Sequence, residues 1–461
     1  MKNEPSRQLD MGSDPVFRVL LTLAIPAMIS MFFQNLYEFV DTMFIAWLGS
    51  APLAAQSLSM PLFYLVLSLG KGAQIGATTL MSQARGQDKP EETAKLSESA
   101  LPLLLLSILP LFLLLIPELC AGFYHFLGAR GPVLTEAYPY TFWLVLSFPI
   151  MAYVMIGEAI SMSHGNTLMP MKAMLIGNAI NLTLDPILMF YLGWGIAGAS
   201  IATLIGQLLS AVYIYRQLKQ AKLPVPVLYL RKDMPLYWKK ISHLGIFVTI
   251  SQLVSPLGLS LVNVVLASFG PAAIGAWNIM ARLEMMGLLP LYGMAGALIP
   301  YVAFNYGQEN WERIRSGVRI FLLGTGVIIL PIMAVLILGA PWLVLPFRSD
   351  AQVTELAMHA IRIAALAHIF APLELALFGT AQGLKRPWYS LLTSVARLLV
   401  FRYPLAVFFA SFWGVNGVYW SQPLAVALSG ILSGILLWRL LTGEVFQAKL
   451  PRGEEMNYSE V

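Results

Sequence analysis

Residues 17–49 read FRVLLTLAIPAMISMFFQNLYEFVDTMFIAWLG. No side chain from residue 19 to residue 37 is charged, and the whole stretch holds only Arg18, Glu38 and Asp41. An apolar run of this kind is long enough to cross a bilayer as a helix, for which about 20 residues suffice. The rest of the chain repeats the pattern. Of 461 residues, 29 are Lys or Arg and 24 are Asp or Glu, together 11%, where soluble domains carry about 25%. Hydrophobic residues reach 58% and mean hydropathy is +0.71, more apolar side chain than a compact domain can hide from water. These values exclude an ordinary water-soluble enzyme. In lipid the backbone must satisfy its own hydrogen bonds, which leaves helices or closed barrels, and runs of this length are helical.

Breaking the chain at charge clusters and Gly/Pro turns predicts an all-α polytopic membrane protein with twelve transmembrane helices. The spans fall at roughly 17–47, 52–82, 93–117, 132–158, 167–191, 195–216, 241–269, 273–303, 314–340, 352–380, 387–412 and 415–440. Pro26, Pro61, Pro256 and Pro372 each remove an intrahelical donor and mark expected kinks. Lys2, Arg7, Arg85, Lys89, Lys95, seven basic residues from Arg216 to Lys240, Arg313, Arg315, Lys385, Arg386, Lys449 and Arg452 fall on one side. Arg130 and Arg348 fall on the other, so both termini are expected in the cytoplasm of a multi-pass inner (plasma) membrane protein. The first fifteen residues are polar and the apolar run after them is too long for a signal peptide. The net charge of +5 and pI near 9.1 therefore read as topology, not nucleic-acid binding. Cys120 stands alone, which excludes an intrachain disulfide, and no Cys/His group has metal-ligand spacing.

Sliding the sequence on itself by 221 positions sets Leu23, Ile25, Ser30, Ala46, Gly49, Ala55, Gly72, Gly86 and Gln87 against Leu244, Ile246, Ser251, Ala267, Gly270, Ala276, Gly293, Gly307 and Gln308. Gly195 and Gly198 meet Gly414 and Gly417 at a shift of 219. Each half thus holds six spans, and an even number gives both halves the same orientation about an axis along the membrane normal. The expected organisation is a cytoplasmic segment 1–16, an N-lobe 17–216, a linker 217–240, a C-lobe 241–440 and a cytoplasmic tail 441–461. Two such lobes meeting at a cleft suit alternating access in a transporter.

Positions where the halves disagree point to chemistry. Asp41 faces Val262, and near Asp185 the second half offers only Phe401 to Ala406, with Arg402 as the nearest charge. A carboxylate at mid-bilayer costs about 2.5–3.5 kcal/mol on insertion scales, so it normally lines a cavity or an ion path. On the first span Gln34, Glu38 and Asp41 stack on one helical face, and on the fifth Asn178, Asn181 and Asp185 do the same. Facing stripes of acids and amides suit proton uptake and release, or coordination of a sodium ion, with Thr203 and Tyr140 as hydroxyl contributors. The competing role for Asp41 and Asp185 is a structural interhelical hydrogen bond, worth about 0.6 kcal/mol on average. Met31, Phe33, Tyr37, Met60, Gln34, Asn178 and Glu284 are candidates for the cleft wall, the Met and aromatic side chains among them suiting bulky cations. Glu284 is equally consistent with a buried pairing to Arg397 or Arg402. Lys71, Glu158, Arg362, His368 and Glu374 read as interhelical pairs or span-end residues, and His164 as a solvated turn residue.

The segment Ile25-Pro26 through Asn35-Leu-Tyr37, Asp41 and Trp47-Leu-Gly49, the Gly86-Gln87 and Gly307-Gln308 turns, and Asn181-Leu-Thr-Leu-Asp185-Pro186 followed by Gly193-Trp-Gly195 resemble the multidrug and toxic compound extrusion (MATE) transporters, in particular the DinF-like branch. The resemblance runs from about residue 17 to residue 440. It implies two six-helix lobes around a V-shaped cleft and a secondary antiporter that exports organic cations or amphipathic drugs and toxins. Proton or sodium influx would drive export through Asp41, Asn181, Asp185 and Thr203, with Tyr140 beside them, and a bend at Pro26 would couple the site to the substrate. Glu38 and Glu284 are acids beyond the pattern of that branch, and Ser163-His-Gly-Asn166 lacks its usual Arg-Gly-x-Gly. The reading expects no enzyme activity, no cofactor, no metal beyond a possible sodium at Asp41, Asn181, Asp185 and Thr203, and a monomer in the lipid bilayer. Its rivals are a flippase for lipid-linked precursors, with Lys71, Arg282, Arg397 and Arg402 holding a pyrophosphate, and a membrane enzyme using Glu38 and Asp41 as an acid/base pair.

Overall fold

The structure is a computed structural model that describes residues 9–347 and 351–447. Lys2, Arg7, Arg348, Lys449 and Arg452, which entered the charge count, lie outside the described residues. The described residues form helices and no strand. The first lobe contains α1 (Val16–Leu48), α2 (Ser50–Gly86), α3 (Pro90–Ile108), α4 (Pro117–Phe126), α5 (Pro132–Ser163), α6 (Leu168–Pro186) and α7 (Gly195–Gln220). The second contains α8 (Met234–Ala267), α9 (Pro271–Gly307), α10 (Trp311–Leu338), α11 (Ala340–Leu343), α12 (Ala351–Ala365), α13 (Ala371–Gly383), α14 (Trp388–Val395) and α15 (Tyr403–Gln447).

Eleven stretches among the described residues are long and apolar enough to cross a membrane, and the last of them, Trp388–Gly443, joins two expected spans. Gly414 divides it, at φ 59° and ψ −140°, a conformation that a side chain would make very costly. Counted on either side of Gly414, the spans are the twelve expected. The tenth breaks into α12, a 3-10 turn at Leu366–Phe370 and α13, the break falling just before Pro372. By contrast Pro26, Pro61 and Pro256 sit inside unbroken helices. At Pro26 the missing N–H frees the carbonyl of Thr22, and the Thr167 hydroxyl donates to it across the lobe at 3.4 Å. The third span ends in a 3-10 segment, Leu109–Leu115, and α4, a short helix opening at Pro117, fills the connection to α5.

The connection between lobes is 221–233, shorter than the 217–240 segment read from charge and proline content, because α7 and α8 extend into both ends of it. Ion pairs hold this region: Arg231 to Glu98 at 2.6 Å and to Asp233 at 2.8 Å, and Lys240 to Glu92 at 3.0 Å.

The lobes meet along α1 with α9 and α2 with α8 and α9. Glycines permit this approach at one end of the bundle. A Cβ on Gly72 would lie 2.6 Å from the Gly245 carbonyl, and one on Gly86 or Gly307 would strike the backbone of the opposite helix at Phe304 or Gln83. Gly86 and Gly307 are repeat equivalents, so the two α2/α9 ends clasp each other symmetrically. The N-terminal segment seals the same end. Met11 is buried, Asn305 Nδ2 donates to the Met11 carbonyl at 3.1 Å, and Arg313 Nη2 donates to the carbonyls of Met11 at 3.0 Å and Asp14 at 2.7 Å. At the far ends of the same helices Gly49 and Gly270 have no neighbour within 4 Å of an added Cβ. Close interlobe glycine contacts are thus found toward the Gly86 and Gly307 end, as suits the V-shaped cleft expected. On the outside, Leu323, Val327, Leu330 and Leu338 of α10 are exposed at helical spacing, the face a helix offers to lipid.

Candidate functional site

Asp41 lies eight residues before Gly49, about 12 Å along α1 from its end. Its carboxyl comes within hydrogen-bonding reach of Asp185 on α6. Gln56 Nε2, from α2, donates to Asp41 Oδ2 at 3.3 Å. Asn181, one turn before Asp185, donates from Nδ2 to Thr203 Oγ1 on α7 at 3.1 Å, and that hydroxyl donates onward to the Ala199 carbonyl at 3.0 Å. Tyr37 neighbours Thr203 and Tyr140 neighbours Gln56, which puts both tyrosines within electrostatic range of the two acids. The Asp185 side chain is fully buried, and neither of its oxygens, nor Asn181 Oδ1, has a hydrogen-bond donor.

Local sequence explains the arrangement. The spacing of Asn181 and Asp185 puts both on one face of α6, and Pro186 follows with no N–H to give. The chain then runs into a π-helical segment, Ile187–Tyr191, a backbone irregularity frequent at functional sites. Two facing carboxylates with no donor between them repel each other and carry a desolvation penalty, and a proton or cation between them relieves both. The surrounding set is made of oxygens, the ligands hard cations prefer. The expected residues Asp41, Asp185, Asn181, Thr203 and Tyr140 thus come together. Tyr37, read as cleft wall, belongs to this pocket. Gln56 was missed, although in the 221 register it faces Trp277, a polar-to-apolar mismatch that could have marked it.

Glu38 stands apart. It is exposed, and Gln34 Nε2 donates to its Oε1 at 3.0 Å while Asn178 Nδ2 donates to Gln34 Oε1 at 3.1 Å. This accessible chain of side chains runs from α6 to α1 beside the buried pair. Met31 and Met60 are half-buried and Phe33 is exposed, edge to face with Phe32 at 5.6 Å.

In the second lobe Glu284 pairs with neither Arg397 nor Arg402. Gln422 Nε2 donates to Glu284 Oε1 at 2.9 Å, and His368 Nδ1 lies 3.8 Å from the same oxygen. Arg397 is taken by Glu374 at 2.8 Å, and Glu374 also accepts from Ser429. Lys71 donates to Gln74 on its own helix at 2.9 Å, and Gln74 donates to Glu158 on α5 at 2.8 Å, so Lys71 and Glu158 are linked between helices through Gln74. Arg362 donates to the Ile337 carbonyl at 3.3 Å. Lys71 and the two arginines 397 and 402 belong to separate clusters in separate lobes, and Arg282 is exposed, so the four-cation cradle for a pyrophosphate is not assembled. His164 is half-buried, not solvated: its Nδ1 lies 2.8 Å from the Ile160 carbonyl, next to Arg85, which donates to the Ser163 carbonyl at 2.6 Å. A cavity of about 810 Å³ lies between Leu366 and Phe370 on one side and Phe409, Trp413 and Trp420 on the other. Its walls are apolar and include the exposed Leu366, Trp413 and Trp420, which fits a lipid-facing groove and not an ion path.

Comparison with known proteins agrees with this geometry. A family model described as MatE matches residues 26–187 and again residues 248–408, one match per lobe at the spacing of the internal repeat. A FAD transporter of Shewanella oneidensis is 27% identical over 444 residues, covering 93% of this chain and 96% of that protein. The multidrug export protein MepA of Staphylococcus aureus is 24% identical over 434 residues, covering 92% of this chain and 94% of MepA. A crystal structure described as MATE in the straight conformation superposes with a TM-score of 0.88 at 22% identity, covering 95% of this chain and 99% of that one.

Proposed function

The chain belongs to the MatE family of membrane transporters, and we propose that it is a secondary antiporter that exports organic cations or other amphipathic compounds. Inward movement of protons or sodium through the Asp41–Asp185 pocket drives the export. The observation that carries this reading is the buried Asp185 carboxyl, facing Asp41 with no donor on either oxygen. Such a pair changes its local hydrogen bonding when a proton or cation arrives, and α1, which carries Asp41, also packs along α9 of the other lobe. Loading the pocket thereby biases the contact between lobes. The relative named MepA, a multidrug export protein, supports the substrate class.

In this reading the clasped end, which carries the basic connection 221–233, faces the cytoplasm of the plasma membrane, the cleft opens outward and the protein acts as a monomer. Liposomes with an imposed proton or sodium gradient test it: efflux of a fluorescent organic cation supports the antiporter, whereas gradient-independent lipid scrambling supports a flippase. A second reading has a dinucleotide as the exported compound, favoured by the FAD transporter among the relatives. Counterflow of FAD against the fluorescent cation in the same liposomes separates the two.

A further inference from the structure

The duplicated bundle has a counterpart to the acidic pocket, and its charge is inverted. In the first lobe Gln56 and Thr203 line the pocket of Asp41 and Asp185. Their repeat equivalents are Trp277, at a shift of 221, and Gln422, at a shift of 219. Both belong to one buried cluster of the second lobe. Each lobe also carries a π-helical segment, Ile187–Tyr191 just after Asp185 and Ala396–Arg402 ending at Arg402. Where the first lobe places a carboxyl without donors, the second places a guanidinium without acceptors.

Arg402 is 5% exposed, and its guanidinium lies over the Trp277 ring at 4.6 Å. Its Nε and Nη2 have no hydrogen-bond partner. Those two nitrogens form one edge of the guanidinium, the edge whose parallel N–H groups match the two oxygens of a carboxylate or phosphate. Trp277 fixes the plane of that edge, and Trp277 in turn stacks on Tyr419 with centroids 6.3 Å apart. The Tyr419 hydroxyl and His368 Nε2 are likewise buried without partners. Arg397, on the same π-helical segment, is the contrast: Glu374 already occupies it. Glu284 offsets the charge of Arg402 from a distance, but its carboxyl is held by Gln422 and lies beside His368, leaving the Arg402 edge unpaired. The guanidinium edge is itself buried, so a ligand group reaches it only when side chains around the cluster move; of these Glu284 keeps 16% and Arg397 29% of their side-chain surface accessible.

We propose that Arg402, oriented by Trp277 and assisted by the Tyr419 hydroxyl, is a receptor for an oxyanion group, carboxylate or phosphate, on the transported solute. The inference rests on the export reading only in taking that group as part of a solute. It extends the range of substrates to zwitterionic and anionic amphipathic compounds.

Binding to the purified full-length protein in detergent tests this without any gradient, so its outcome is independent of whether efflux is ion-driven. The probes share one ring system: 1-naphthoate, 1-naphthyl phosphate and neutral 1-naphthol, with inorganic phosphate alongside. The wild type is expected to bind the two organic anions at least about tenfold more tightly than naphthol, and about tenfold in Kd is about 1.4 kcal/mol. Arg402→Gln is expected to abolish that preference. Arg402→Lys, which keeps the charge but not the fork, is expected to weaken it several-fold, and it carries the test if the Gln variant does not fold. Equal binding of naphthol and naphthoate, or an undiminished preference in either variant, overturns the proposal. Inorganic phosphate binding as tightly as naphthyl phosphate also overturns it, in favour of a free-anion site.

Discussion

Asp185 and Asn181 present three buried oxygens to one small volume with no donor for any of them, and that imbalance sets the expectations for single residues. Asp41→Asn or Asp185→Asn supplies an amide donor where the proposed proton or cation would sit. Either substitution should cut gradient-driven efflux by about ten- to a hundredfold, the scale set by losing one hydrogen bond to a charged group, with insertion and melting temperature little changed. Asn181→Ala should weaken the response to the coupling ion while leaving Thr203 bonded to Ala199, read from the ion concentration that half-activates efflux. At the turn after α5, burial and then the neighbouring Arg85 push His164 down from 6.5 to about 4. The folded protein therefore refuses a proton that the unfolded chain accepts. Stability from this group is fully present above about pH 6.5 and is lost as pH falls toward 4. Melting curves across that window should slope downward for the wild type, and His164→Gln should flatten part of the slope. The two acids were legible in the sequence because a duplicated scaffold showed Val262 opposite Asp41. Their partner Gln56 offered the same kind of signal, Trp277 at the 221 shift, but that mismatch does not say which neighbour the glutamine faces.

Among the helices, apolar length and glycine or proline punctuation located every span, but the breaks inside them depended on tertiary partners. Pro26 interrupts nothing, and Thr167 reaches the carbonyl it frees, while the tenth span, with Pro372, breaks at a 3-10 turn. The short helix α4 was invisible as an element because its ten residues are too few to cross a bilayer. The sharpest break is Gly414, in a conformation that costs other residues about 1–3 kcal/mol. Gly414→Ala should lower the melting temperature of the detergent-solubilised protein, whereas the same change at Gly443, which has no neighbour within 4 Å of an added Cβ, should not lower it.

For the molecule as a whole, the internal repeat predicted two lobes in one orientation, and the glycine contacts add which end is closed. Gly86→Val should wedge the clasp apart. With spin labels on the exposed repeat equivalents Glu91→Cys and Glu312→Cys, in a background with the buried Cys120 replaced by Ser, the interlobe distance should lengthen. An unchanged distance distribution would show that the clasp does not hold the closed end. In the proposed mechanism the clasp serves to couple an acidic pocket in one lobe to movement of both. The most direct test is efflux of a fluorescent organic cation from liposomes holding wild type or the Asp41→Asn, Asp185→Asn double variant, under an imposed proton gradient and separately under a sodium gradient. The account predicts accelerated efflux by the wild type under at least one gradient and none above the protein-free rate for the double variant. Equal gradient-driven efflux by both proteins would contradict it.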